Sequence, residues 1–172
     1  MAENVKIIVH LKALEDLTRR YPEASAKARE ARLTEALLLL EATIKHLTPQ
    51  GAGLLGHIRD TIFQKVNFYG ESVWGTVGMG GQAFVYGEPL EYGTNPHPVS
   101  EEGQKSIRLW VEKKLHLSGK EARSAAFCIA RAIGKRGTKG AHMFEKGFEM
   151  REAKVKEILE KIPEDIVKAV SE

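Results

Sequence analysis

The residues of this chain that could support catalysis or bind a metal are six histidines, one cysteine and a few neighbouring acids. No two histidines lie four residues apart, and none joins a cysteine or an acid at the spacing typical of a metal site. Glu88 and Glu91 would share one face of a helical turn, which general acid–base catalysis can use; local capping or ion pairing is the alternative. We therefore expect no enzymatic activity, no metal and no cofactor. The histidines are His10, His46, His57, His97, His116 and His142.

The single cysteine, Cys128, rules out a disulfide within the chain. It lies in an apolar run at residues 125–130, within a segment of helical composition. Free cysteines in such a setting behave as small hydrophobic residues, so we expect Cys128 to be buried. The same run is far too short to cross a bilayer, and the N-terminus lacks the apolar stretch of a signal peptide. We expect a protein made and kept in a cytosol, with no membrane contact.

Positive charge is concentrated between residues 131 and 140. Arg131, Lys135, Arg136 and Lys139 fall within nine residues, and three glycines lie among and beside them. Residues 134–140 therefore predict a basic, glycine-rich loop whose backbone N–H groups could face a phosphate. A solvated turn or a set of salt bridges is the alternative, and nothing in the pattern reads bases. The net charge of the whole chain is only +3, so affinity for nucleic acid would depend on this clustering.

The 172 residues are 42% hydrophobic and 28% charged, which is typical of a soluble globular protein and predicts one domain. The longest predicted helix covers residues 23–47. Its large apolar residues recur at steps of four and three and form one narrow stripe, which packs either on the protein's own sheet or on another subunit. The stripe contains Leu33, Leu37, Leu40, Ile44 and Leu47.

Two β-strands are predicted after this helix, at residues 55–69 and 72–79, and their short separation indicates an antiparallel hairpin. A glycine- and proline-rich junction follows, with a short element at residues 84–92 and a tight turn at residues 93–96. The prediction is one α+β domain, in which a long N-terminal helix and C-terminal helices pack on a small antiparallel sheet. Its parts are a helical segment at residues 1–48, the hairpin at 54–80, the junction at 82–98 and a helical segment at 99–172.

Several short motifs, taken in order, resemble the neck proteins of long-tailed bacteriophages, a family also called head–tail joining or tail-completion proteins. The similarity covers nearly the whole chain and depends on the order and spacing of the motifs. Ala52 and Ala141 depart from the pattern, which usually has threonine and proline at these places. The residues that carry the resemblance are Pro49, Gly53, Leu55, Ile58, Tyr86, Glu91-Tyr92-Gly93-Thr94, Pro96-His97-Pro98, Trp110, residues 129–133, Gly137-Thr138-Lys139 and Phe144.

The resemblance implies a structural virion protein of the neck or tail, made in the host cytoplasm. Its partners would be portal-complex or head-closure proteins on one side and the tail tube or tail terminator on the other. The resemblance does not separate a neck ring from a tail terminator or a head-closure protein.

A homo-oligomeric ring around the channel, with passive contact to DNA, is the implied assembly. Such a ring needs two different patches on each subunit, which we expect at residues 49–56 and 134–140. The expected interface residues are Pro49, Gly51, Gly53, Leu54, Glu91, Gly93, Thr94, Arg136, Gly137, Thr138 and Lys139.

Overall fold

A computed structural model describes residues 12–49, 58–69 and 72–171 of the chain. It confirms a mixed α+β protein with a long N-terminal helix, a small antiparallel two-stranded sheet and C-terminal helices. The chain divides into two compact units. The first comprises Met1–His46, Ile62–Gly78 and Phe144–Glu172, and the second comprises Leu47–Thr61 and Met79–Met143. The prediction of a single domain stays a prediction.

The helices and strands follow one another in an order close to the predicted one. The helices are α1 (Lys12–Arg20), α2 (Pro22–Leu47), α3 (Gly87–Tyr92), α4 (Glu101–Lys114), α5 (Gly119–Arg136), α6 (Met143–Glu160) and α7 (Ile162–Ser171). The strands are β1 (Ile62–Tyr69), β2 (Ser72–Met79), β3 (Gly93–Thr94) and β4 (Thr138–Lys139). Two 3-10 turns cover Ile58–Thr61 and Gly81–Tyr86.

The core of the first unit forms where α2 and α6 meet the sheet. Ala36 and Leu40 of α2 pack with Val155 and Ile158 of α6, and Val77 of β2 lies against this cluster. The apolar stripe of α2 thus packs on the protein's own sheet, as one of the two predicted alternatives required. Burial of such side chains contributes about 1.5–3 kcal/mol each to the free energy of unfolding.

Two glycines of the first unit let its elements approach closely. A Cβ on Gly75 of β2 would lie 2.5 Å from Cδ1 of Leu37, and a Cβ on Gly147 of α6 would lie 2.7 Å from Cγ1 of Ile44. Real Cβ atoms do not come this near to another atom. Gly147 therefore sits inside a helix despite its cost of about 1 kcal/mol there relative to alanine. Both glycines bring α2 close to its neighbours.

A second cluster and an ion pair hold α7 in the same unit. Ala28 of α2 packs with Ile162 and Ile166 of α7. Beside them Arg32 donates to both carboxylate oxygens of Asp165, with Nη2 to Oδ1 at 2.9 Å. This bond to Arg32 holds the pKa of the Asp165 carboxyl below its usual value. The bidentate geometry sets the angle of α7 on α2.

In the second unit, α4 and α5 pack as a helical pair. Val111 of α4 is fully buried with Ala122 and Ala126 of α5, and partly buried apolar residues of both helices surround them. The small side chains of Ala122 and Ala126 permit this close contact. Ser100 caps α4, because its hydroxyl accepts a hydrogen bond from the Gly103 N–H at 3.1 Å.

Two expectations from the sequence are wrong in this part of the fold. Of the strand predicted over residues 55–69, the part from Ile62 onward is a strand, whereas Ile58–Thr61 forms a 3-10 turn in which Thr61 Oγ1 donates to the Ile58 carbonyl; residues 55–57 lie outside the described residues. Cys128 is exposed rather than buried. It lies about 200° around α5 from Ala126, so it points away from the face that packs on α4.

Among the described helices, none combines the length and the apolar character needed to cross a membrane.

Candidate functional site: a glycine-rich clasp and a basic helix end

Two segments that carry the resemblance, 44 residues apart, meet in the second unit and pair as strands. β3 and β4 are antiparallel, with Gly93 opposite Lys139 and Thr94 opposite Thr138. We call residues 90–94 together with residues 137–142 the clasp. The clasp places the predicted site residues Glu91, Gly93 and Thr94 beside Gly137, Thr138 and Lys139, with Arg136 directly before them.

Three glycines make the clasp possible. Gly93 has φ 86° and Gly137 has φ 71°, both in the range that favours glycine. A Cβ would lie 2.2 Å from the Thr138 carbonyl oxygen at Gly93, 1.8 Å from the Thr94 carbonyl oxygen at Gly137, and 2.2 Å from the Glu91 carbonyl oxygen at Gly140. Each contact is with backbone, which cannot rotate away as a side chain can. No other residue type fits these three positions without displacing the facing chain.

The clasp also satisfies backbone groups at the end of α3. The last carbonyls of a helix have no partner inside it. Here the Ala141 N–H donates to the Leu90 carbonyl at 2.7 Å, and the His142 N–H donates to the Glu91 carbonyl at 3.0 Å. The chain that leaves β4 therefore completes the C-terminal end of α3.

Two threonines add side-chain bonds across the clasp. The Thr94 hydroxyl accepts a hydrogen bond from the Thr138 N–H at 3.1 Å and shares a second with the Thr138 hydroxyl at 3.0 Å. Because both residues are at least partly accessible, these bonds contribute about 0.5–1.5 kcal/mol each at most. They fix the register in which Thr94 faces Thr138.

The clasp corrects two predictions about local structure. The predicted turn at residues 93–96 begins instead with the strand Gly93–Thr94, because the N–H and C=O groups there find partners in β4. The predicted loop at residues 134–140 is the last turn of α5 up to Arg136, followed by Gly137 and the strand Thr138–Lys139. The residue types of neither segment identify the other as its partner, so their pairing could not be predicted from the sequence.

The two candidate acids of the junction differ in their surroundings. Glu88 and Glu91 both lie on α3, as the helical-turn interpretation requires. Glu88 is exposed, whereas Glu91 is 6% exposed, and its carboxylate lies within 4.8 Å of a ring nitrogen of His142. The His142 ring in turn meets the Tyr92 ring edge-on, with centroids 6.3 Å apart. Glu91 is therefore buried within the clasp next to His142, and its expected interface role stays a prediction.

The C-terminal end of α5 forms a basic surface next to the clasp. Arg131, Lys135, Arg136 and Lys139 are all exposed. A shallow depression of about 340 Å³ opens along the helix here, lined by Cys128, Arg131, Ala132, Lys135 and Arg136. The His97 carbonyl oxygen comes to 3.8 Å from the Cβ position of Gly134, so the loop after β3 runs past the same helix end. Chemically, this surface suits an anionic partner.

Exposed apolar side chains lie near the other end of α3. Phe84 and Val85 of the 3-10 turn Gly81–Tyr86 are 73% and 74% exposed, and Tyr86 is 47% exposed. Consecutive apolar residues open to water are typical of a protein contact surface. These residues were not among those expected at an interface from the sequence.

The remaining predicted interface residues are placed only in part. Pro49 is exposed after the end of α2. Gly51, Gly53 and Leu54 lie outside the described residues, so the patch expected at residues 49–56 stays a prediction.

Gly140 lies within the patch expected at residues 134–140, but it was not among the individual residues expected at the interface. Its close approach to the Glu91 carbonyl oxygen is visible only in the structure.

Comparison with known proteins adds no relative: no family model, no curated protein and no solved structure matches the chain.

Proposed function

We propose that this protein is a structural component of the neck or tail of a long-tailed bacteriophage, where it joins the head to the tail or completes the tail. The observation that supports the proposal is the clasp. Glu91–Thr94 and Gly137–Lys139 are two of the segments that carry the resemblance, and they contain the paired strands β3 and β4 of one unit. Residue types that look arbitrary in sequence, such as glycine at 93 and 137, have a shared structural reason.

Exposed surfaces of the second unit are consistent with assembly. A ring uses two different patches on each subunit, so that every copy contacts two neighbours. The apolar residues Phe84, Val85 and Tyr86 offer one contact, and the exposed Pro49 begins the second expected patch at residues 49–56. The proposed partners are further copies of this chain, portal-complex or head-closure proteins, and the tail tube or tail terminator. The proposed location is the neck or tail of the virion.

The proposal is tested in lysates of a phage that encodes this chain. Without the protein, we expect DNA-filled heads and free tails to accumulate unjoined, as counted by electron microscopy. Supplying the wild-type chain should restore joined particles, and Gly137→Ala should restore far fewer because the clasp cannot close. Gly119→Ala is the matched control, since a Cβ there meets no atom within 4 Å. Normal yields of joined, infectious particles without the protein would refute the proposal.

A further inference from the structure

Charge is distributed very unevenly along the chain. Residues 119–140, which include α5 and β4, hold six basic residues and one acidic residue, a formal charge of +5. The whole chain carries +3, so all other residues together carry −2. Strong local asymmetry of this kind favours contact with a polyanion. The basic residues are Lys120, Arg123, Arg131, Lys135, Arg136 and Lys139, and the acidic residue is Glu121.

The outward side of α5 arranges part of this charge in a straight stripe. With 100° per residue, Lys120, Arg131 and Lys135 lie within about 60° of one another, on the side of the helix opposite Ala122. All three are exposed, whereas Ala122 is buried. At a rise of 1.5 Å per residue the stripe is about 23 Å long, which equals about six or seven nucleotides of one DNA strand. Glu121 lies about 40° beyond Lys135 at the border of the stripe, and about 80° from Arg131.

The cations at the end of α5 are not neutralised by nearby acids. None of the ion pairs formed within the described part of the chain includes Arg131, Lys135, Arg136 or Lys139. Other exposed cations of the chain are paired, as in Lys154 with Glu157. Unpaired like charges at this spacing repel one another, so their clustering lowers stability unless an anion is bound.

The helix dipole explains only part of the cluster. Lys135 and Arg136 lie in the last turn of α5, where positive charge is favourable. Lys120 lies in the first turn, where positive charge is unfavourable, and Lys139 lies beyond the helix. A favourable interaction with the helix dipole therefore does not account for Lys120 and Lys139.

The chemistry of the stripe fits phosphate better than the alternatives. Arg131 and Arg136 line the depression, and a guanidinium can bind a phosphate through two parallel hydrogen bonds. Phe127 is the one large apolar side chain that the stripe exposes, too little for the apolar face with which amphipathic helices enter a membrane. It is also too little for the apolar centre of a protein interface.

We propose that the outward face of α5 and the exposed C-terminal end of this helix at Arg136, together with Lys139, bind the phosphate backbone of DNA without sequence preference. Side chains on this face contact phosphates of one strand along its length, and no group on it is arranged to read base edges. DNA binding of this face does not depend on the phage assembly role, so the two proposals can fail separately.

Fluorescence anisotropy with a labelled random-sequence duplex of about 25 base pairs, at salt concentrations from about 50 to 200 mM, tests the proposal. The wild-type chain should bind, with an affinity that falls linearly on a log–log plot against salt. The variant Arg131→Gln/Lys135→Gln/Arg136→Gln should bind at least about tenfold more weakly at low salt, with a slope smaller by about 3, since each lost phosphate contact removes about 0.9.

The matched control is Arg19→Gln/Arg20→Gln/Lys27→Gln, which removes the same charge from exposed positions of the first unit. It should retain most of the wild-type affinity and slope. A second variant, Arg131→Lys/Arg136→Lys, keeps the charge and should retain the slope. All altered side chains are exposed, so thermal melting followed by circular dichroism should show unchanged folding.

Three results would overturn the proposal. The first is that the wild-type chain does not bind the duplex at about 50 mM salt. The second is that the test and control triple variants lose the same affinity for the duplex. The third is that polyglutamate or phosphatidylserine vesicles bind as tightly as the duplex at equal charge. Stronger binding to single-stranded than to duplex DNA would still support phosphate contact by this face, provided that the triple variant loses it.

Discussion

At the scale of single residues, the clasp depends on glycines more than on any charged or reactive side chain. Gly93 and Gly137 combine a positive φ with a ψ near 180°, a backbone conformation that is essentially restricted to glycine. The facing atoms are carbonyl oxygens of the opposite strand. A side chain at either position would meet both a conformational penalty and a steric one.

Replacing Gly137 with alanine should therefore destabilise the protein by about 3 kcal/mol or more, since strain and a backbone clash add. Gly119→Ala provides the comparison, because Gly119 has φ 56° but no atom within 4 Å of its Cβ position. It should cost only the conformational penalty of about 1–2 kcal/mol. Urea unfolding curves measure both. Equal losses for the two variants would show that the close approach to Thr94 contributes nothing.

At the scale of secondary-structure elements, only one of two glycines in β2, Gly75 but not Gly78, is needed for the close contact with α2. Gly75 faces Leu37, which is buried, whereas the Cβ position of Gly78 lies at an ordinary 3.6 Å from the Phe63 ring. The two glycines share a strand, so they differ mainly in what each of them faces.

Gly75→Ala should lower the free energy of unfolding by about 1–3 kcal/mol, because the added methyl group overpacks the contact with α2. Gly78→Ala should be neutral or stabilise by about 0.4–1 kcal/mol, since alanine loses less backbone entropy on folding. Chemical denaturation of the two variants decides between these outcomes. If Gly75→Ala is as stable as Gly78→Ala, then Leu37 moves aside without cost.

The contact between α2 and α7 should depend on pH through Asp165. Its pKa is lowered by the hydrogen bonds from Arg32, so this pair stabilises the folded state at pH values above the unfolded pKa of about 3.9. The contribution is lost as the pH falls through the still lower folded pKa. Asp165→Asn should lower the Tm at neutral pH and flatten the loss of stability below about pH 4.

Glu35→Gln is the control for Asp165→Asn. Glu35 also accepts a hydrogen bond from Arg32, at 2.9 Å, but it lies on the same helix and is about half exposed. Its loss should change the Tm and the pH profile less. Melting curves between pH 2 and 7 measure both, and a larger effect of Glu35→Gln would contradict the assignment of the pH dependence to Asp165.

At the scale of the whole molecule, the chain leaves apolar surface open to water. In the second unit Phe84 and Val85 are about three-quarters exposed, and in the first unit Trp74 of the sheet is 54% exposed. Large apolar side chains that are exposed to water are typical of contact surfaces. We therefore expect copies of the chain to cover them in an assembly.

Light scattering across a concentration series should show a mass that rises above the 19.1 kDa of one chain. Phe84→Ser/Val85→Ser should shift this association to higher concentration, because the contact loses apolar area. The same double change should leave the Tm of the dilute protein unaltered, since neither side chain is buried. A constant monomer mass for both proteins would show that this surface does not join copies of the chain.

Local patterns in the sequence were sufficient for most elements. The four-and-three spacing of apolar residues predicted α2 almost to its ends, and the strand Ser72–Met79 was likewise predicted. These features depend on side chains a few residues apart, so they are written in one stretch of chain. The prediction of a strand over residues 55–69 was wrong at residues 58–61, because a local 3-10 turn forms there.

Only the tertiary structure decided how distant segments meet. Whether Cys128 is buried depends on which side of α5 faces α4, and the apolar run around it gave the wrong answer. The sequence marked Gly93-Thr94 and Gly137-Thr138 as unusual, yet their pairing requires backbone groups 44 residues apart to meet. Every residue type except proline has the same backbone carbonyl and N–H groups, so residue type does not reveal which distant groups form a hydrogen bond. The close approach of two backbones does require glycine, but a glycine in the sequence does not identify the segment that approaches it.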